Sequence, residues 1–450
     1  MSSRRTVAVV GGGMAGLSAA YELAAGGADV VVIEGTDRVG GKLRLGTIAG
    51  LTVDLGAESI LARRPEALEL VREIGLADRI VHPNSISASI WTRGALRPMP
   101  PTVQGVPADL DALRASGILA AEIEQRLLPM PTDDISVAEH VSQRLGREVV
   151  DRLIEPLLGG VYAGHADRLS LRATSPQIAA LGPDLLAGAV QAKAAATATG
   201  PVFFGLVGGV GQLPEAVVAA GGFEVRLDTT VRAVARTPDG WRLTMGPTTA
   251  VEVLDVDAVV MAAPAPAAAR LLADAAPAAA FALAGVDYAS MAIVTFVLDG
   301  ANDPGGSGFL VPAVDDTFIK AATYSSNKWG WSADQAAGLT IARASVGRAG
   351  ETTLLHHDDA SLIEAARADL ERATGGVGRV VEAVVHRWGG ALPQYDVGHL
   401  DLVDTVERSV AEVPGLEVCG AAYRGVGIPA VIGSGRAAAR RLLDAGTLDA

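Results

Sequence analysis

The apolar positions of this chain change period twice within its first thirty-four residues. Thr6–Val10 is a continuous apolar, β-branched run, the pattern of a strand buried on both faces. Three glycines follow. From Met14 to Ala25, Leu17, Ala20, Tyr21 and Ala24 recur at helical spacing, and Gly26-Gly27 ends that stretch. Asp29–Ile33 is a second β-branched run closing on Glu34. The order is strand, glycine turn, helix, strand. A short strand over Thr52–Leu55 then runs into Gly56, and a helix is predicted from Pro65 to Ile74, stopped by Gly75.

From about 82 to 200 the texture shifts. Prolines stand at 98, 100, 101, 107, 129 and 131, followed by helical patterns over Ser136–Leu145, Glu148–Leu158 and an alanine-rich stretch reaching 199. Strand-like sequence returns from Phe203 to Pro264 (FEVRLDTTVRAVAR, WRLTM, DAVVMAAP). Residues 265–382 mix helix and strand, including MAIVTFVL and TLLHH. The chain closes on a strand, a further glycine turn and a helix (LEVCGAAYRGVGIPAVIGSGRAAARRLL). The expected organisation is a discontinuous nucleotide-binding domain from 1–85, 203–265 and 383–450, a mainly helical insert over 86–202, and a substrate domain over 266–382. The fold class is α/β.

At 450 residues, 49% hydrophobic and 20% charged, the chain can bury large cores and is unlike disordered sequence. A net charge of −14 argues against nucleic acid or an anionic membrane as main partner. No stretch is long and apolar enough to suggest a transmembrane helix; Ala258–Ala284 is broken by Pro264, Pro266, Arg270, Asp274 and Pro277. The single cysteine, Cys419, excludes an internal disulfide, fits a reducing cytoplasm and reads as a small buried hydrophobe. The histidines lack metal-site spacing, with His356-His357 read as a solvated strand edge, so no metal is expected.

Residues 4–16, RRTVAVVGGGMAG, could open an export signal, but the apolar run is five residues long and the glycines fall at Gly11, Gly13 and Gly16. G-x-G-x-x-G between strand and helix has a physical use. The first glycine allows the tight turn, the second lets backbone approach a pyrophosphate, and the third lets helix pack on strand. The helix N-terminus, through Gly11, Gly12, Gly13, Met14, Ala15 and Gly16, faces phosphate charge. Glu34, eighteen residues after Gly16, is placed to accept ribose hydroxyl hydrogen bonds. A second glycine turn, Arg38-Val39-Gly40-Gly41-Lys42, is more than a nicotinamide dinucleotide needs and suits a larger cofactor.

These motifs resemble the start of the FAD-binding amine oxidases and porphyrinogen oxidases. The blocks VDLGAESILARRPE, GGVYAGHADRLSLRATSP, GLVGGVGQLPEAV, GSGFLVPAVDD, HRWGGALPQYDVGH and CGAAYRGVGIPAVIGSGRAAA resemble the FAD-dependent protoporphyrinogen and coproporphyrinogen III oxidases of the soluble Gram-positive type, in order and over almost the whole chain. The resemblance implies a Rossmann-like FAD domain and oxygen-dependent, six-electron oxidation of a porphyrinogen with release of hydrogen peroxide. Coproporphyrinogen III is the expected substrate, protoporphyrinogen IX the alternative, and the next heme-pathway enzyme a transient partner. It places FAD against Gly11–Gly16, Glu34, Gly35, Lys42, the turn Gly56, Ala57, Glu58 and Ser59, Val231 (backbone toward adenine), Trp388 (beside the flavin ring), and Val426, Gly427 and Ile428. Because hydride passes to the flavin, no catalytic nucleophile is expected. Where protoporphyrinogen enzymes of the family often carry a propionate-holding arginine, this chain has about Ala88, so Arg93, Arg97 and Arg168 are the candidates for the substrate carboxylates. An amine oxidase would instead frame its amine with two aromatics, for which Tyr423 and Trp388 are the obvious pair. A flavin protein that escorts porphyrin without turnover is the non-enzyme reading.

Overall fold

The computed structural model describes residues 5–195 and 200–444; Arg4 and the end of the predicted alanine-rich helix, 196–199, lie outside them. Thr6–Val10 is the centre of a five-stranded parallel sheet, flanked by Asp29–Ile33 and Ala258–Met261, with Glu224–Arg226 and Leu416–Val418 at the edges. Alternate side chains of these strands enter two different cores. Val7, Val9, Val30 and Val32 pack under the helices Met14–Ala25, Leu213–Gly221 and Ile428–Asp444. Ala8, Val10, Val31 and Ile33 pack against the antiparallel meander Val231–Thr237, Gly240–Met245 and Glu252–Val256, together with helices from 265 to 284. Burial on both faces is why these strands read as unbroken apolar runs.

A second, seven-stranded mixed sheet runs in the order 379–393, 288–299, 340–346, 319–324, 308–310, 88–92 and 95–98. One face carries the helix Asp359–Thr374. The other meets the hairpin Leu45–Ile48 and Leu51–Asp54 through Ile48, Val53, Leu55, Val297 and Ile341. This sheet crosses the expected domain limits: the boundary at 383 falls inside the strand Arg379–Pro393, and the strands Ala88–Thr92 and Ala95–Pro98, expected in the helical insert, form its edge.

The helical lobe has its own core over residues 90–189. Ser136 caps the helix Val137–Leu145 by accepting from Glu139 N at 3.0 Å. The pattern read over Glu148–Leu158 is a continuous helical path to Tyr162 that widens to a π turn at Val150–Ile154. His356 closes a short 3-10 helix, Thr352–His356, so the strand-edge reading is corrected: the following helix cap at Asp358 turns the chain there.

Candidate active site

At the carboxyl end of the first strand the chain turns through Gly11, Gly12 and Gly13 into the helix Met14–Ala25. That helix has no side-chain cap and no acid in its first turn, which leaves its N-terminal N–H groups and dipole for an anion. A Cβ on Gly16 would overlap the Gly11 carbonyl oxygen, so only glycine lets helix and strand approach this closely. A Cβ on Gly13 would meet nothing within 4 Å, which marks the open side of the turn.

Glu34 is held beside it. One carboxylate oxygen accepts from Gly12 N at 2.7 Å, the other from Thr36 N at 2.9 Å and Thr36 Oγ1 at 2.8 Å. The Glu34 carbonyl accepts from Thr229 N at 2.9 Å. That bond brings the start of the meander, with buried Val231, to the same end of the sheet, and the side chain of Thr230 lies next to Gly35. The second glycine turn docks on the first: Gly40 N donates to the Gly12 carbonyl at 2.7 Å, and Arg38 ties the turn together by donating to the carbonyls of Val39, Gly41 and Leu43.

Lys42, Gly56 and Trp388 stand together beyond the second glycine turn. A Cβ on Gly56 would overlap the Lys42 carbonyl oxygen and lie 3.1 Å from Trp388 Cζ2. Trp388 donates its indole N–H to the Leu55 carbonyl at 3.0 Å, takes His386 edge-on at 4.4 Å, and has the Arg38 guanidinium 6.0 Å from its ring. Burial pushes the Lys42 ammonium down to about 8. Val426 packs on the helical lobe, and Gly427 and Ile428 open the C-terminal helix, which likewise has no acid in its first turn.

Sequence reading missed what stabilises this turn. The Glu58 carboxylate accepts from Lys328 Nζ and Ser325 Oγ at 2.8 Å each and from Arg343 at 2.7 Å. Lys328 also donates to Ser59 Oγ at 2.6 Å, and Arg343 to the Gly56 carbonyl. Burial alone would raise the Glu58 pKa; Lys328 and Arg343 outweigh it and hold the group well below the usual carboxylate range. The side chains of Glu58 and Ser59 are therefore committed to protein partners. On the same face of the sheet, Thr295 stands opposite Arg343, with Ser345 two residues on. Thr295 Oγ1, Arg343 Nε and Ser345 Oγ are buried without a partner among the described residues. Open glycine backbone, two acid-free helix starts and buried donors without a partner among the described residues fit an anionic dinucleotide held by this part of the fold.

Arg93 and Arg97 share one hairpin and both reach the segment 116–118, while Arg168 stands apart with Asp287 and Asp396. Arg93, in the turn after Ala88–Thr92, pairs with Glu148 and donates to the Ile118 carbonyl at 3.3 Å. Arg97 donates to the carbonyls of Thr92 and Ser116, both at 3.3 Å. Arg168 pairs with Asp396 and, at 2.7 Å, with Asp287. Their local sequence shows charge without showing that acids and carbonyls stand opposite. Tyr423 does not pair with Trp388; it is buried in the core of the nucleotide domain, which removes the amine cage.

Among the described residues no helix is long and apolar enough to cross a membrane. The sequence matches the flavin containing amine oxidoreductase family over residues 14–443. It is 36% identical to coproporphyrinogen III oxidase of Mycobacterium leprae (strain TN), covering 96% of this chain and 97% of that protein. It is 28% identical to protoporphyrinogen oxidase of Bos taurus, covering 98% of each. A solved structure from Exiguobacterium sp. 255-15, provisionally described as a protoporphyrinogen oxidase, superposes with a TM-score of 0.86 at 32% identity and covers 100% of both chains.

Proposed function

Because the chain belongs to the flavin containing amine oxidoreductase family, we propose that it is an FAD-dependent oxidase that converts coproporphyrinogen III to coproporphyrin III with molecular oxygen. The substrate choice is carried by the end-to-end likeness to the mycobacterial coproporphyrinogen III oxidase, stronger than that to the protoporphyrinogen enzyme. The reaction consumes three oxygen molecules and releases three of hydrogen peroxide for the six electrons removed. Bound flavin supplies the two-electron acceptor that returns to its starting state with oxygen.

The protein's part is binding and orientation. The turn Gly11–Gly16 holds the pyrophosphate on a helix N-terminus, Glu34 takes the ribose hydroxyls, and Val231 lies beside the adenine. Gly56 and Ala57, stiffened from behind by the Glu58–Lys328–Arg343 cluster, would present backbone to the flavin ring on the same side as Trp388, which packs against Gly56. Lys42 and the start of the C-terminal helix, Val426–Ile428, cover the ring's polar edge. Cys419 is fully buried in the core under the five-stranded sheet, which supports non-covalent FAD. The reaction suits a cytoplasmic enzyme that hands porphyrin to the next heme-pathway enzyme.

The test is a side-by-side measurement of kcat/KM for the two porphyrinogens, with peroxide counted per porphyrin formed. A higher value for coproporphyrinogen III and three peroxides per product are expected. A preference for protoporphyrinogen IX overturns the substrate. Comparable turnover of simple amines overturns the reaction class, and flavin that stays oxidised when porphyrinogen is added without oxygen makes the protein a carrier.

A further inference from the structure

Charges removed from water are stable only when paired, hydrogen-bonded or awaiting a ligand of opposite sign. Lys328 and Arg343 share Glu58, Arg152 has Asp315, and Glu155 is committed to His165 and the Ala166 N–H. Arg144, in the helical lobe, is buried alone on the carbonyls of His140, Leu128 and Pro129, whereas Lys320 and Arg348 are two buried cations side by side. Lys320 is 4% exposed, and its ammonium donates to a backbone carbonyl, that of Gly347, at 2.7 Å. Arg348, the next residue, is 7% exposed and donates to the Val311 carbonyl at 3.1 Å. Its nearest carboxylate, on half-exposed Glu351, lies 3.9 Å away, beyond hydrogen-bond reach, and its Nε is buried without a partner.

Two adjacent buried cations thus face one peripheral acid. A helix carrying Gly159 and Gly160 lies against them at ordinary contact distance. A Cβ on Gly159, in the helix Glu155–Tyr162, would come 3.9 Å from Arg348 Nε, and one on Gly160 would come 3.5 Å from Leu310. This helix packs on the strands 319–324 and 308–310 of the seven-stranded sheet, the first of which carries Lys320.

We propose that Lys320 and Arg348 form a subsite for a substrate carboxylate at the helical-lobe end of the cleft. The proposal rests on the porphyrinogen reading above and names the residues that read the substrate's charge. A propionate reaching past Gly159 accepts from Arg348 Nε–H and from a second Lys320 N–H, supplying the missing negative charge. Burial and then the Arg348 charge push the Lys320 ammonium down to about 7, as expected of a cation held ready for an anion. Arg93 and Arg168, already neutralised by acids, have no such need.

The test is fluorescence titration of the FAD-loaded protein with coproporphyrin III and with its tetramethyl ester in detergent, the same macrocycle without carboxylates. Arg348→Gln and Lys320→Met are each expected to weaken coproporphyrin III about ten- to a hundredfold, the worth of one charge-assisted hydrogen bond. The ester should bind wild type and variants alike, and Arg348→Lys should recover most of the loss. Equal losses for acid and ester overturn the subsite in favour of packing; so does unchanged binding of the acid. If Arg348→Gln fails to retain flavin, Lys320→Met decides by the same criterion. A wild type that binds coproporphyrin III but shows no variant effect removes the subsite and leaves the proposed function standing. A wild type that binds and oxidises no porphyrinogen removes both.

Discussion

Alanine at Gly13 and alanine at Gly16 make a pair that separates cofactor binding from folding. Gly13 has φ −72° and ψ 172°, a conformation open to any residue, and its Cβ would touch nothing within 4 Å. Gly13→Ala should therefore leave the FAD-free protein as stable as before, or about 0.4–1 kcal/mol more stable through a less flexible unfolded chain. The added methyl group would stand in open space at the N-cap of Met14–Ala25, the turn on which the pyrophosphate is proposed to sit. Crowding there should cost about 1–3 kcal/mol of FAD binding, or about 5- to 150-fold in Kd. Gly16→Ala does the reverse. Its Cβ would overlap the Gly11 carbonyl oxygen and press Ala262 Cβ at 3.1 Å, so helix and strand must separate. The FAD-free protein should lose about 1–3 kcal/mol. Denaturant unfolding of the FAD-stripped proteins gives the stabilities, and quenching of flavin fluorescence gives Kd. A Gly13→Ala protein that binds FAD like wild type would falsify the placement of the phosphates on this turn.

Glu58→Gln removes the carboxylate between Lys328 and Arg343 and should cost about 3–5 kcal/mol near neutral pH, because two buried cations lose their counter-charge. The folded-state pKa of Glu58 is depressed, so its contribution is full above the unfolded value of about 4.3 and fades as pH falls below it. The gap between wild type and variant, measured by unfolding at several pH values, should close on the acid side. Arg93→Gln should lower the melting temperature by breaking the Glu148 pair while leaving the kcat/KM ratio of the two porphyrinogens unchanged; a narrowed ratio would return Arg93 to the substrate site. Burial pushes the Cys419 thiol up to about 12, so a thiol reagent at neutral pH should label the protein only after unfolding.

The nucleotide half of the cleft was legible because its signals are local. Strand, turn, helix and strand lie within residues 6–34, and the contact that completes them, Gly12 N to Glu34, spans only that unit. Periodicity reports which faces are buried, and here the alternation of Thr6–Val10 between two cores matched the unbroken apolar run it produced. Domain limits were harder, since a single strand, Arg379–Pro393, serves the second sheet while its Trp388 reaches back to Leu55 of the first domain. No local pattern reveals a side chain that belongs to one element and works in another.

Charged residues pose the same difficulty more sharply. Arg93 and Arg168 look, in sequence, like cations in search of a ligand, yet Glu148, Asp287 and Asp396 are opposite them, the last two more than a hundred residues away in the chain. Lys320 and Arg348 look like ordinary solvated positions in strand-like sequence, IKAATY and ASVGRAG, and are nearly inaccessible. A charge therefore says little about function until its burial and its counter-charge are both known. Burial with a partner, as at Glu58, is architecture: it stiffens the turn that meets the flavin and can be expected to reveal itself in stability. Burial without a counter-charge within hydrogen-bond reach, as at Lys320 and Arg348, is an unmet demand for negative charge, which a carboxylate bound at the proposed subsite would meet.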